Sequence, residues 1–264
     1  MHRFASPYRH YKNGRRALPA CAAFLVSAAL SSPALAQGSS DAAAWALGGG
    51  VAVIQKGYRD VDRDVLAVPL ISYESKWISA SVPTLDLKAW SSESLSLRLR
   101  ARYARDGYES DDSPYLAGMA ERKGGIWLGA AMLWRTPLAN VSAELLHDAA
   151  GHSKALRARV QVERRFALGA FGVTPRLGVE RFDREYVDYY YGVRPGEART
   201  GRAAYKGDAS VNAEAGLRLD YTYGRQHTVF FDVRASHFGS AIKDSPLTDR
   251  ARAAGASLGY LYRF

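Results

Sequence analysis

Cysteine is almost missing from this sequence: 264 residues hold one, Cys21. That excludes a disulfide framework and a thiolate metal site. Long apolar runs are as scarce. No stretch outside residues 17–36 approaches the roughly twenty apolar residues of a spanning helix, which excludes a helical membrane protein. Acidic residues are wanting from the first forty positions, the first being Asp41, whereas Arg3, Arg9, Lys12, Arg15 and Arg16 crowd the first sixteen. Those five supply half of the net charge of +10, so the remainder is only mildly basic. A nucleic-acid surface is therefore not implied. With 47% hydrophobic and 23% charged residues, the chain is too apolar to be disordered.

What is present begins with an export signal. Residues 1–36 read as a cleaved secretory signal peptide. A basic start ends at Arg16, an apolar run follows from Ala17 to Leu30, and Pro33-Ala34-Leu35-Ala36 offers a small-x-small cleavage site before Gln37. Cys21 leaves with this leader. A cysteine-free mature chain suits a Gram-negative envelope protein that crosses an oxidising periplasm. Residues 37–264 are expected to form one domain.

That domain repeats at two, the period of a strand, and not at three and four. Leu95, Leu97, Leu99, Ala101 and Tyr103 alternate with Ser96, Arg98, Arg100 and Arg102. Leu156, Ala158, Val160 and Val162 alternate with Arg157, Arg159, Gln161 and Glu163. Val211, Ala213, Ala215, Leu217, Leu219, Tyr221 and Tyr223 alternate with Asn212, Glu214, Arg218, Asp220 and Thr222. Weaker alternation at 44–54, 65–73, 76–82, 84–90, 125–135, 138–147, 169–182, 226–237 and 253–264 brings the count to twelve candidate strands. It falls to ten if 76–82 and 84–90 are discounted.

Several segments run ten to fourteen residues, which matches the roughly nine to eleven that cross a bilayer at a tilt. Long connections (55–64, 106–124, 148–154, 183–209, 238–252) alternate with turns at 74–75, 91–93, 136–137, 167–168 and 224–225; only the short link near Pro83 departs from this. The expectation is an all-β protein in the outer membrane. It is an antiparallel transmembrane barrel of about twelve strands, with a polar lumen, short periplasmic turns and longer extracellular loops. Sixteen Tyr and five Trp would furnish its interfacial girdles. The final strand, with Tyr260, Tyr262 and Phe264 on one face, resembles the terminal strand that the barrel-assembly machinery engages.

The expected lumen carries Arg98, Arg100, Arg102, Arg157, Arg159, Arg165, Arg176, Arg218 and Arg234 against Asp86, Glu144, Glu163, Glu180, Glu214, Asp220 and Asp232. One reading is a narrow porin-like channel whose arginines select anions. The other is a lattice of cross-strand ion pairs that stiffens a small barrel. The near balance of charge favours the lattice.

Catalytic and metal readings are weak. Gly255-Ala256-Ser257-Leu258-Gly259 fits a nucleophile elbow, but lacks the following helix that chemistry requires. Gly48-Gly49-Gly50 lacks the helix of a nucleotide-binding turn and suits close strand packing better. His147, Asp148, His152 and Ser153 cluster near one outer loop without a third catalytic partner. The acids Asp106, Glu109, Asp111, Asp112 and Glu121 lack the spacing of a calcium loop and read as a solvated surface or one that meets lipopolysaccharide through divalent ions. Tyr186, Tyr189, Tyr190 and Tyr191 suit a partner contact, the membrane interface or a folded-in loop.

With these segments placed, the chain resembles the MipA/OmpV family of outer-membrane proteins from Trp45 to Phe264. Tyr190-Tyr191-Gly192-Val193 followed by Glu197-Ala198 is similar to that family's YYGV…EA segment. Gly48-Gly49-Gly50-Val51, Pro69 before Ile71-Ser72-Tyr73, Leu116-Ala117-Gly118-Met119 and the ending Leu-Gly-Tyr-Leu-Tyr-Arg-Phe agree with it. The resemblance implies a non-enzymatic outer-membrane barrel with no cofactor. It further implies a scaffold in peptidoglycan remodelling, with a murein transglycosylase and a peptidoglycan synthase as partners beside membrane lipid, lipopolysaccharide and the assembly machinery. The periplasmic side offers such partners only short turns and the segment from Gln37 to Ala44.

Overall fold

The computed structural model describes residues 43–264. The expected signal peptide and the residues from Gln37 to Ala42 lie outside the described residues. The elements in order are β1 (Ala44–Gln55), β2 (Asp64–Glu74), β3 (Ile78–Ser81), β4 (Thr84–Ser91), β5 (Leu95–Ala104), β6 (Gly125–Arg135), β7 (Asn140–Asp148), β8 (Leu156–Glu163), β9 (Phe166–Leu168) and β10 (Phe171–Phe182). Helix α1 (Arg184–Tyr191), a 3₁₀ turn (Pro195–Glu197), β11 (Ser210–Tyr223), β12 (His227–His237), α2 (Ser240–Lys243) and β13 (Arg252–Arg263) complete the chain.

The strands pair antiparallel in sequence order, and β13 returns to pair with β1. The sheet closes on itself at β1 and β13, which satisfies most backbone groups within the wall, although on its β3 side β2 pairs only at Ser72–Glu74, because β3 is short. β8 and β9 both pair with β10 and are two halves of one stave interrupted at Arg164-Arg165. The barrel therefore has twelve staves, as the alternation predicts. The expected turn at 167–168 falls instead at Gly169-Ala170, where Gly169 takes a φ of +63° that a side chain would resist. β3 is only four residues long, shorter than the seven expected.

Alternation places the two walls as expected. Trp45, Leu47, Val51 and Val53 are exposed on the outside of β1, while Ala46, Ala52 and Ile54 are buried inside. Leu97 and Leu99 face out of β5, Arg98 and Arg102 face in. A wall of exposed Leu, Val and Phe around the whole circumference is far larger than a water-soluble monomer tolerates. The short turns gather at one end with Phe264, and Trp45, Trp77, Trp90, Trp134 and Tyr223 stand exposed in a belt there. Tyrosine departs from the girdle expectation. Eight of the sixteen (Tyr58, Tyr108, Tyr115, Tyr186, Tyr189, Tyr190, Tyr191, Tyr205) lie in the long connections at the other end.

Candidate functional site

The lumen is a lattice of ion pairs. Asp86 on β4 accepts from Arg98 at 3.1 Å and from Arg100 at 2.7 Å through both Nε and Nη2. Glu144 on β7 accepts from Arg100 at 2.5 Å and from Arg102 at 2.5 and 2.6 Å. Arg100 and Arg102 of β5 reach β7 across β6, where Gly129 stands opposite Arg100 and Ala131 opposite Glu144. Arg159 pairs with Glu214, Arg165 with Asp220 and Arg176 with Asp232, each at 2.5 Å. Arg176 crosses Gly216 to reach β12; a Cβ on Gly216 would lie 3.2 Å from its Nε and Nη2. Glu163 accepts from Gln161 at 3.2 Å, and Arg218 lies 4.0 Å from the centre of the Phe230 ring. Where Arg159, Gln161, Arg176, Glu214 and Arg234 meet, the free volume is about 20 Å³, room for roughly one water.

Nearer the long connections, the lumen changes from ionic to aromatic. Arg157 pairs with Glu180 at 2.5 Å and with Asp106 at 3.2 Å. Its guanidinium lies 5.2 Å from the Trp127 ring and 5.4 Å from Phe182, within cation–π range. Helix α1 closes the mouth above it. Asp183 caps the helix by accepting from the Tyr186 amide at 2.9 Å, which satisfies a first-turn donor. Tyr186, Val187 and Tyr190 then bury one face. Tyr186 stacks on Phe182 at 4.0 Å and joins a cluster with Trp127, Leu146, Phe238 and Ile242.

A second cluster of Tyr58, Val61, Tyr108, Leu116, Met119, Val193 and Leu247 knits two more connections into the same cap. Tyr58 donates to the Tyr190 carbonyl at 3.3 Å, Ser245 to the Tyr191 carbonyl at 2.6 Å and Tyr190 to the Lys123 carbonyl at 3.1 Å.

Glu197 is the polar keystone of this cap. Its carboxylate accepts from Arg122 at 2.8 and 3.0 Å, from the Ala120 amide at 3.0 Å and from the Arg194 amide at 3.0 Å. Burial alone would raise its pKa, but these hydrogen bonds hold it below the ordinary carboxylate value. Arg202, fully buried, is held by carbonyls: those of Glu197 at 2.8 Å, Ala117 at 3.3 Å and Tyr115. Asp106 goes the other way, since burial outweighs Arg157 and raises its carboxyl. Burial likewise pushes the Tyr108 hydroxyl up to about 12.

The sequence segments singled out above converge in two places. Tyr190, Tyr191, Gly192, Val193, Glu197 and Ala198 lie in the cap together with Leu116–Met119. A Cβ on Gly192 would fall 2.2 Å from the Asp188 carbonyl, so the helix can end only with glycine there. The other segments form the closing seam at the turn end. Gly49 stands opposite both Pro69 and Tyr260, Leu47 opposite Ile71 and Tyr262. Tyr260 and Phe264 point outward with Tyr262 between them on the same wall.

Other candidates are not brought together. Ser257 lies in mid-strand opposite Asp232. His147 faces outward, while Asp148, one residue on, faces in and accepts from the Ser153 amide at 2.6 Å and its hydroxyl at 2.9 Å. His152 contacts the Gly124 carbonyl at 3.1 Å. Asp148 thus shapes its own loop. The acidic loop also corrects the surface reading in one residue: Asp106 turns into the barrel. Its position continues the even-numbered inward series Arg98, Arg100, Arg102, Ala104, a signal available in the sequence. Arg122 and Arg202 carry no such signal. Among the described residues, no group of three or more His, Cys, Asp or Glu side chains is placed to hold a metal ion.

A closed barrel with a lipid-facing apolar wall, an ionic lumen, short turns at one end and capping loops at the other defines an outer-membrane β-barrel. A family model described as MltA-interacting protein MipA matches residues 47–264, and the chain belongs to that family. It is 28% identical to a putative outer membrane protein, YiaT, of Escherichia coli, over 86% of this chain and 93% of that one. It is 26% identical to the MltA-interacting protein of Escherichia coli, covering 83% and 90% respectively. Identity to the outer membrane protein OmpV of Vibrio cholerae is 24%, over 76% and 80%. Among solved structures it is similar to the NanC porin at a TM-score of 0.41 and 7% identity, over 83% of this chain and 98% of that one. That likeness is too remote to bear on conduction. The turn end is accordingly periplasmic and the capped end extracellular.

Proposed function

We propose that this barrel is a non-enzymatic, non-conducting scaffold of the outer membrane that holds peptidoglycan-remodelling enzymes at its periplasmic end. One observation carries the non-conducting half: Arg157, tied to Asp106 and Glu180, fills the lumen directly beneath a mouth closed by Tyr186 and Tyr190. A protein so built offers surfaces and no passage. The murein half is supported by the name of one relative, MltA-interacting protein, which points to a murein transglycosylase. The periplasmic surface is small, and it exposes Lys76 with Trp77, Arg135, Arg164 stacked 5.1 Å from Phe166, and Arg225, together with the acids Glu74 and Glu93. An interface there would be of the small, transient kind. Tyr260, Tyr262 and Phe264 would serve the assembly machinery that inserts the barrel.

Crosslinking in the native envelope, followed by purification of the intact barrel, tests this. Recovery of a murein transglycosylase together with a synthase supports the scaffold. Steady anion-selective conductance in planar bilayers, with no such enzymes recovered, would replace it with a narrow Arg-lined channel.

A further inference from the structure

On its outer wall the barrel carries a groove of about 520 Å³, and we infer that it seats one acyl chain of a phosphorylated glycolipid of the outer leaflet, with a phosphate on Arg181. This inference is independent of the scaffold proposal.

The groove has a cause in the sequence. Neighbouring strands normally present large apolar residues outward, but here Ala130, Ala143 and Ala158 come together on β6, β7 and β8, between Leu97 on β5 and Val179 on β10. Three side chains cut back to a methyl sink the wall locally. An extended hydrocarbon chain matches such a trough; a flat lipid annulus leaves it unfilled.

Arg181 supplies the polar end. It is the penultimate residue of β10, directly opposite Ala158 and Val211, and it is exposed on the lipid-facing wall. The inward arginines of the adjoining β8, Arg157 and Arg159, have carboxylate partners. Arg181 has none among the described residues. A lipid-facing arginine is unfavourable except near an interface, and this one lies at the extracellular end. An anionic group anchored at that depth complements it, and guanidinium–phosphate contact is the strong, forked kind. His147, exposed on the same wall one register row closer to the loops, and Lys154 beside it add polar contacts for a sugar phosphate. The leaflet selects the source, since phosphates at the extracellular interface of this membrane belong to glycolipid.

Native mass spectrometry on the purified full barrel in detergent tests the site. The probes are a bisphosphorylated, multiply acylated glucosamine disaccharide, its dephosphorylated form, and phosphatidylglycerol. The barrel should retain one bisphosphorylated glycolipid roughly tenfold more tightly than the dephosphorylated one. Arg181→Gln should abolish most of that difference, and Ala143→Leu, which fills the trough, should weaken both. Equal retention of phosphatidylglycerol, or an unchanged preference in Arg181→Gln, would overturn the assignment. Should Ala143→Leu fail to fold, Arg181→Gln still decides, because it removes no contact within the barrel.

Discussion

Arg122 and Glu197, seventy-five positions apart, close a buried ion pair at 2.8 Å between two extracellular connections. The same guanidinium donates to the Tyr189 carbonyl at 2.7 Å, so one side chain ties the acidic loop to both the helix and the 3₁₀ turn. The cap is held by few polar contacts of this kind, set over two aromatic clusters, and it can be loosened without touching the barrel wall.

Glu197→Gln should do so. Losing one partner of a buried pair leaves the other charge uncompensated, at a cost of roughly 3–5 kcal/mol. The loss should appear as faster amide exchange at Tyr190–Val193 and as tryptic cleavage at Lys123 and Arg194. The heat-dependent gel mobility of the barrel should stay as it is. Unchanged protection of those amides would show that the clusters alone hold the cap.

Acid should loosen the same contact. Glu197 sits below its ordinary value of 4.5, so its contribution is complete above that pH and is lost as pH falls through the lower folded value. Asp106 has the opposite sign. Its carboxyl is raised above 3.8, so the folded state takes up that proton more readily and is favoured on the acid side. Protection of the cap amides between pH 3.5 and 7, referred to the intrinsic exchange rate at each pH, should fall below about 4.5 in the native protein. In Glu197→Gln that step should vanish; a step of undiminished size would assign it elsewhere.

Arg157 is the corresponding point inside the wall. Its side chain is 5% exposed and faces Glu180 and Asp106. Arg157→Ala would leave the buried Glu180 and the partly buried Asp106 without their cation, costing on the order of 3–5 kcal/mol. A lowered urea midpoint of the folded barrel is expected, far larger than for a surface control such as Arg225→Ala. Adding Glu180→Gln to Arg157→Ala should recover part of the loss. No recovery would mean that the stacking on Trp127 and Phe182 matters more than the charge.

The wall of this protein is written plainly in its sequence, and the cap is not, for one physical reason. Period-two alternation is a local property, so Leu97/Arg98 or Leu217/Arg218 announce their faces without knowledge of the partner strand. The pairs themselves follow from the inward set, although only the register shows that Arg100 reaches Glu144 across Gly129. The cap depends on contacts between distant connections. Glu197 gives no hint of Arg122, nor Arg202 of the carbonyls that hold it. Helix α1 lies between these cases. Asp183 ahead of Tyr186, Val187 and Tyr190 is a local capping and spacing signal, but the run of tyrosines reads equally as a girdle. Family likeness at Tyr190–Val193 and Glu197 marked the region as special while leaving its reason, the closing of the mouth, to the structure.

The seam gives the sharpest contrast between neighbouring residues. Gly48 and Gly49 are adjacent on β1, one facing in and one facing out. A Cβ on Gly48 would stand 1.9 Å from the Tyr260 carbonyl oxygen, whereas Gly49 has nothing within 4 Å. The obstacle at Gly48 is backbone of β13, which cannot rotate away as a side chain would. Relief would require β1 and β13 to separate where the barrel closes, and a barrel opened there exposes two edges with unpaired amides in lipid. Gly48→Ala should therefore block closure, seen as loss of the heat-dependent mobility shift and degradation in the periplasm. Gly49→Ala should assemble at the native level, since it adds only a methyl to the lipid-facing wall. If Gly48→Ala assembled as well as Gly49→Ala, the close approach of β1 to Tyr260 would not be a requirement of the fold.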